Sequence, residues 1–325
     1  MRLAKRFASG QRVIKRLPEK LNGLLLPATT PFARSGEIDY ASLRANLVKW
    51  SEAGISGFVL LGSTGERVHL DEREYLHTIE AAREAVPSDH AFIVGAGQQS
   101  ALVTINEIRK ARDAGADAVL VITPYFYRAA ITQETLVAYY TTVAEESPVP
   151  VLLYSMPPLT GIKIEPETVA RLSRHPNIIG VKDSSYDIPK FTETIKSCPS
   201  DFAVMTGNGT VLLDALEAGA TGGILAVGCA VPEICLEIFR SFNAGATEHA
   251  RLLQNKLTPL AAAVTTRFGI GGLKAALDLA GYNGGTVRAP LQSPDENARA
   301  EIAMLLEDAS SVLVHSRQNT SSEMF

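Results

Sequence analysis

The chain contains few cysteines and no regular spacing of metal-binding side chains. Its 325 residues include three cysteines, Cys198, Cys229 and Cys235, and no two of them form a CxxC pair. This usage argues against a disulfide framework and a thiolate metal site, and it is typical of a reducing compartment. The six histidines are scattered through predicted helices and loops. We therefore expect no metal and no other cofactor.

Long apolar runs and a strong excess of one charge are also missing. No apolar segment approaches the ~18 residues that a helix needs to span a bilayer, so we expect no contact with a membrane. The 31 basic and 35 acidic residues give a net charge of −4, with no basic stripe interleaved with aromatic residues. This pattern argues against a nucleic-acid partner. The hydrophobic fraction of 46% is that of an ordinary globular protein with a large core.

The first twenty residues differ from the rest of the chain. Residues 1–20 carry seven Lys or Arg against the single acid Glu19, with apolar residues scattered between them. A basic, acid-poor and amphipathic segment is typical of a transit peptide, which would direct the protein to the mitochondrial matrix. The alternative is a basic N-terminal extension of a cytoplasmic enzyme. We take the cytoplasmic reading as the prediction and keep the matrix as its alternative.

Short hydrophobic runs recur about every 20 to 35 residues, with helical patterns between them. They are continuous rather than alternating, as strands covered on both faces require. This order predicts an α/β protein, a (β/α)8 TIM barrel over residues 21–232. We expect C-terminal helices over 233–314 and a tail at 315–325. The eight runs are GLLLPATTPF, GFVLLGSTGE, AFIVGAG, AVLVITPYF, PVLLYSMP, IIGVKDSS, FAVMTGNG and GGILAVG.

A lysine closes the sixth of these runs. In a barrel of this kind the carboxyl ends of the strands form the catalytic face, so Lys182 is expected to point into the central cavity. Free lysine has a pKa of about 10.4, and burial favours the uncharged, nucleophilic amine. Without a metal or phosphate loop, such a lysine indicates covalent catalysis through a Schiff base. The ordinary alternative is an ion pair with Asp183.

Three other strand ends are expected on the same face. The segment GSTGE places Ser63 and Thr64 after the second strand, where the hydroxyls and the N–H groups of a turn could hold a carboxylate. TPYFY follows the fourth strand, and Tyr154 closes the fifth, where a phenol could move protons. Taken singly, Tyr154 could be a core tyrosine and GSTGE a plain turn. Their position on one face of one barrel favours a shared site.

The motifs GSTGE, TPYFY, YSMPPLTG and GVKDSS, in this order, resemble those of a known family. It is the dihydrodipicolinate synthase and N-acetylneuraminate lyase superfamily of pyruvate-dependent class I aldolases. The resemblance covers roughly residues 21–292. Two stretches, LSRHPNIIGVKDSSYD and TTRFGIGGLKAALDLAGYNGGTVRAPLQ, look closest to the 4-hydroxy-2-oxoglutarate aldolase branch.

The resemblance implies roles for individual residues. Lys182 corresponds to the Schiff-base lysine and Tyr154 to the proton-transferring phenol. Ser63 and Thr64 match the hydroxyl pair beside the keto-acid carboxylate. It also implies a homotetramer built as a dimer of dimers, with the TPYFY loop at the tight dimer contact. Two further positions match residues that line the pocket, Ser184 and Gly207.

Two positions depart from the family pattern. Many members have a tyrosine within a proton relay where this chain has Phe126, so the relay is cut or Tyr125 or Tyr127 replaces it. Dihydrodipicolinate synthases place an arginine, which grips the carboxylate of the aldehyde substrate, where this chain has Leu159. Leucine offers no charge and no bidentate donor. The resemblance therefore favours a different aldehyde from aspartate semialdehyde.

The main hypothesis is a class I aldolase that binds a small-molecule 2-oxo acid. It would cleave 4-hydroxy-2-oxoglutarate to pyruvate and glyoxylate. The alternative is 4-hydroxy-tetrahydrodipicolinate synthase, which condenses pyruvate with aspartate semialdehyde. A sugar-acid lyase is a further option, because Leu159 would suit a longer neutral substrate. A hypothesis of another class is a catalytically inactive keto-acid-binding protein, which Phe126 alone supports.

Overall fold

The computed structural model describes Leu17 and residues 19–322, with side chains as far as Val312. Most of the basic segment predicted at residues 1–20 therefore lies outside the described residues, as do residues 323–325 of the predicted tail. The last helix continues to Ser322, into the segment predicted as a tail. The predicted domain limits remain a proposal.

Eight parallel strands close into a barrel in sequence order, with the eighth strand paired to the first. This confirms the predicted (β/α)8 TIM barrel. The runs are apolar throughout because each strand is covered by side chains inside the barrel and by helices outside it. The strands are β1 Gly23–Pro27, β2 Gly57–Leu60, β3 Ala91–Ala96, β4 Ala118–Ile122, β5 Val151–Ser155, β6 Ile178–Asp183, β7 Ala203–Thr206 and β8 Gly222–Ile224.

Alternate residues of the strands fill the barrel interior. Leu120 of β4, Leu152 of β5 and Met205 of β7 belong to one buried cluster that also contains Tyr154. A register shift between Val151 and Leu152 is followed by regular pairing of β5 with β6. The interior is thus a packed apolar floor below the carboxyl ends of the strands.

Helices surround the barrel on the outside. The helix Glu72–Ala85 begins with a capping box, in which the Asp71 side chain accepts from Glu74 N–H and the Glu74 side chain accepts from Asp71 N–H. The helices between the strands are α1 Tyr40–Ser51, α2 Glu72–Ala85, α3 Ala101–Asp113, α4 Gln133–Glu146, α5 Pro157–Thr160, α6 Pro166–Leu172, α7 Ile188–Ser197 and α8 Leu212–Glu217.

Four helices follow the last strand. The first, α9 Pro232–Asn243, contacts β1 and so occupies the place of the eighth barrel helix. A π-helical turn, Ala263–Arg267, joins the next two. Among the helices in the described part of the chain, none is both long and apolar enough to cross a membrane. The remaining helices are α10 Thr247–Ala262, α11 Gly269–Leu279 and α12 Glu296–Ser322.

Candidate active site

Lys182 and Tyr154 lie side by side at the carboxyl ends of β6 and β5. The two residues are partners in the parallel register, so their side chains point in the same direction, into the barrel. Both are buried, with 4% of Lys182 and 3% of Tyr154 exposed. Lys182 Nζ lies 4.4 Å from the centroid of the Tyr154 ring. The structure thus brings together the two residues predicted to be catalytic.

Lys182 has no acidic partner within the described residues, where no oxygen accepts a hydrogen bond from Nζ. Asp183, the next residue, instead accepts a hydrogen bond from Ser185 N–H at 2.7 Å. Burial raises the pKa of Asp183, and hydrogen bonds from Ser185 oppose that shift. Lys182 and Asp183 therefore do not form the ion pair that was considered as the alternative.

The turn after β2 brings Ser63 to Tyr154. Ser63 Oγ lies 2.9 Å from the Tyr154 hydroxyl, and either oxygen can be the donor. Leu61 and Glu66, at the two ends of the turn, have left-handed backbone with φ of 55° and 54°, a conformation that costs free energy and often marks functional sites. Thr64 is buried beside Ser63. Neither the Ser63 N–H nor the Thr64 N–H donates to any described group, so both amides are available to a ligand.

Ser184 and Gly207 lie behind the lysine. Ser184 directly follows β6 and is buried, and its N–H donates to Ser155 O at 3.0 Å. A Cβ added to Gly207 would lie 2.6 Å from Lys182 Cε and would also collide with Ser184 Oγ. Glycine at this position therefore leaves the room that the lysine side chain occupies.

The loop after β4 separates its aromatic residues. Tyr125 lines the cavity at the mouth of the barrel, and its N–H donates to Gln99 Oε1 at 2.9 Å. Phe126 and Tyr127 are 70% and 71% exposed and pack edge to face, with ring centroids 5.0 Å apart. Of the two tyrosines considered as relay residues, Tyr125 borders this cavity and Tyr127 does not.

The cavity above Tyr154 has a volume of about 360 Å³, at the lower end of the range for small-molecule sites. Its walls are mostly apolar, and Leu159 and Thr160 form part of them. Lys182 is not among the lining residues, but Tyr154, which is, lies against the lysine. The lining consists of Leu61, Gly62, Ser63, Glu66, Arg67, Val68, His69, Gly95, Ala96, Gly97, Leu120, Ile122, Tyr125, Tyr154, Leu159, Thr160, Ile270 and Leu291.

A buried ion pair beside this cavity was missed by the sequence analysis. Lys274 of α11 and Glu66 are both 1% exposed, and Lys274 Nζ lies 2.6 Å from Glu66 Oε1. Nζ also donates to Thr30 O at 2.7 Å and Thr286 O at 2.6 Å. Burial lowers the pKa of Lys274, and the facing Glu66 carboxylate opposes that shift. A lysine in a mostly apolar helix, LKAALDL, was the available signal.

Arg288 has a structural role, because its guanidinium is held by other protein groups. Its guanidinium binds the two carboxylate oxygens of Glu74 and donates to Gly36 O. Arg128 is exposed, and its guanidinium lies near the backbone of Gly161. Neither is among the residues that line the cavity.

A lysine and a phenol at the mouth of a closed (β/α)8 barrel define the class of Schiff-base aldolases. The sequence profile of the Dihydrodipicolinate synthetase family matches residues 20–309. The chain belongs to this family and is an enzyme of its Schiff-base carbon–carbon lyase class. This confirms the predicted superfamily and enzyme class.

Individual relatives agree with this assignment. The chain is 34% identical over 286 residues to 4-hydroxy-tetrahydrodipicolinate synthase of Syntrophus aciditrophicus, covering 88% of this chain and 97% of the relative. The fold is similar to that of dihydrodipicolinate synthase DapA-2 of Bacillus anthracis, with a TM-score of 0.85 and 28% identity. This match covers 88% of this chain and 98% of DapA-2. It is also similar to YagE of E. coli K12, a family member solved in complex with pyruvate. The TM-score of this match is 0.83 and the identity is 28%, and the match covers 89% of this chain and 98% of YagE. The names of these relatives favour the alternative function over the main hypothesis.

Proposed function

We propose that this enzyme forms an imine between Lys182 and the carbonyl carbon of pyruvate and then makes or breaks a bond to an aldehyde. One observation carries this proposal. The buried Lys182 has no acidic partner among the described residues, and it lies against Tyr154, whose hydroxyl meets Ser63.

The residues at the site suit the successive steps of this chemistry. The Lys182 amine attacks C2 of the keto acid, and Tyr154 gives its proton to the water that leaves as the protonated imine forms. In the cleavage direction, the C4 hydroxyl returns a proton to the Tyr154 oxygen while the C3–C4 bond breaks. The electron pair moves toward the imine nitrogen and forms an enamine. Protonation at C3 and hydrolysis then release pyruvate, and condensation follows the same steps in reverse.

The turn at Ser63 is the proposed site for the carboxylate of pyruvate. Two N–H groups, of Ser63 and Thr64, have no partner among the described groups, and the two hydroxyls lie beside them. Backbone amides and hydroxyls converging on a point form a site that prefers anions. Ser184 and Gly207 are proposed to border the imine, because a Cβ built on Gly207 would meet both Lys182 Cε and Ser184 Oγ.

Two aldehydes are supported by different observations. Condensation with aspartate semialdehyde is supported by the relatives, which carry the name 4-hydroxy-tetrahydrodipicolinate synthase, and we give this reaction first place. Cleavage of 4-hydroxy-2-oxoglutarate is supported by Leu159, which stands 62% exposed in the cavity wall where the family resemblance expects an arginine.

Two assays on the purified chain decide between the aldehydes. The first follows the consumption of pyruvate with aspartate semialdehyde, and the second the release of pyruvate from 4-hydroxy-2-oxoglutarate. We expect one reaction to exceed the other in kcat/KM by at least an order of magnitude. Turnover of neither compound, with no imine formed from pyruvate, would overturn the proposal and favour a binding protein without activity.

The proposed assembly is a homotetramer. Phe126, Tyr127 and Leu159 are large apolar side chains exposed near the barrel mouth, and exposed apolar clusters favour association. Analytical ultracentrifugation of the wild type should show a tetramer, and Phe126→Asp should shift it toward smaller species. A monomeric wild type would contradict this.

We also propose a cytoplasmic location. Mitochondrial localisation of the full chain that is lost when residues 1–20 are removed would contradict it.

A further inference from the structure

A histidine on the cavity wall is not used by the steps proposed above. His69 ends the short helical turn Arg67–His69 and lines the same cavity as Tyr154. Its side chain is 17% exposed, and its Nδ1 lies 3.0 Å from Glu66 Oε2. A carboxylate can only accept a hydrogen bond, so the geometry assigns a proton to Nδ1. No group in residues 19–312 hydrogen-bonds to the other ring nitrogen, Nε2.

The orientation of this ring is set by several buried groups. Glu66 Oε1 accepts from Lys274 Nζ at 2.6 Å, and Glu66 Oε2 also accepts from Arg288 N–H at 3.1 Å. Lys274 uses its other two protons on backbone carbonyls. The Glu66 carboxylate is therefore held on both oxygens, and it holds the His69 ring in one position at the cavity wall.

The charged side chains that line the cavity each have a partner of opposite charge. The Glu66 carboxylate and the Lys274 ammonium neutralise one another. Arg67 also lines the cavity, but its guanidinium is paired with Glu107 and lies 4.2 Å from the ring of Tyr75. A second proton on His69 would thus give the wall one net positive charge. Among the described residues that line the cavity, His69 is the basic side chain without a second partner.

We propose that His69 binds the terminal carboxylate of the aldehyde half of the substrate through Nε2, with Glu66 as its positioning residue. The proposal rests on the proposed function, because it requires a 2-oxo acid bound to Lys182. Glyoxylate and aspartate semialdehyde both carry a carboxylate, so the proposal holds for either. It gives the cavity a cation that Leu159 does not supply. In this arrangement one ring N–H faces Glu66 and the other faces the ligand carboxylate.

The test uses two keto acids that differ only at the far end. 2-Oxoglutarate ends in a carboxylate and 2-oxopentanoate in a methyl group, and both can form the imine without being cleaved. Adducts on Lys182 are reduced with borohydride and measured by mass spectrometry over a range of concentrations. The variants are His69→Phe, which keeps a ring of similar shape, and His69→Gln, which keeps a neutral donor. His77→Leu, on the exposed surface of α2, is the matched control.

We expect the wild type to prefer 2-oxoglutarate by about 10- to 100-fold in half-saturating concentration, the usual size of a hydrogen bond to a charged group. His69→Phe should abolish this preference, and the half-saturating concentration of 2-oxopentanoate should change by less than about twofold. His69→Gln should retain part of it and His77→Leu all of it. The proposal is overturned if His69→Phe keeps the preference or raises the half-saturating concentrations of both acids equally. If the wild type forms no adduct with either acid, the proposed function itself fails.

Discussion

Alanine at position 207 would test directly where the Lys182 side chain lies. The added Cβ would stand 2.6 Å from Lys182 Cε and would also collide with Ser184 Oγ. Carbon atoms in contact prefer about 3.5–4.0 Å. The lysine stem must therefore move by about 1 Å, or the backbone at Gly207, directly after β7, must move instead.

The expected loss of activity is much larger than the loss of stability. A displacement of about 1 Å in a reacting group can lower the rate about 100-fold. Overpacking a closely packed interior lowers the free energy of unfolding by about 1–3 kcal/mol. We expect Gly207→Ala to fold, to lose about 100-fold in kcat, and to trap less pyruvate on Lys182.

The assay is steady-state turnover of the preferred aldehyde, together with denaturant unfolding. Gly223→Ala on β8 is the matched control, because the atoms nearest to its Cβ would be those of the Leu225 side chain, at 3.1 Å or more. This control should lose stability but keep most of its activity. A folded Gly207→Ala with wild-type turnover would refute the placement of the lysine. Equal losses in both variants would indicate general overpacking.

Other predictions concern the phenol and two ion pairs. Tyr154→Phe should lower kcat by about 10²–10⁴-fold with little change in stability, because it removes one proton-transfer group; unchanged kcat would contradict that role. Lys274→Met alone should lower the free energy of unfolding by about 3–5 kcal/mol, and a second change, Glu66→Gln, should recover part of this; denaturant titration of the wild type and of both variants checks it. The Arg288 hydrogen bond lowers the pKa of Glu74 from 4.5, so its stabilisation is present above about pH 4.5 and disappears as the pH falls through the lowered pKa. The difference in Tm between the wild type and Glu74→Gln should therefore narrow from pH 7 to pH 3, and a constant difference would contradict this.

The barrel and the two central residues of the site could be predicted from the sequence. Continuous apolar runs are the local consequence of strands buried on both faces, so each strand could be recognised without its neighbours. Lys182 and Tyr154 each close such a run, and strand order alone brings them to the same end of the barrel. Their pairing in register is then a consequence of the parallel sheet.

Contacts between distant segments could not be predicted. The ion pair of Glu66 with Lys274 joins residues 208 positions apart, and neither residue lies in a local pattern that names its partner. The free N–H groups at Ser63 depend on the left-handed backbone of Leu61 and Glu66, which residue types do not specify. The role of His69 depends on both, because the turn places it and the ion pair orients it.

The most direct measurement is the identification of the lysine that pyruvate modifies. The full-length enzyme is incubated with pyruvate, reduced with borohydride, digested and mapped by mass spectrometry. The account predicts one adduct, on Lys182, and none in the Lys182→Arg variant, with the buried Lys274 unmodified in both. An unmodified Lys182 in the folded wild type, or an adduct on another lysine, would contradict the account.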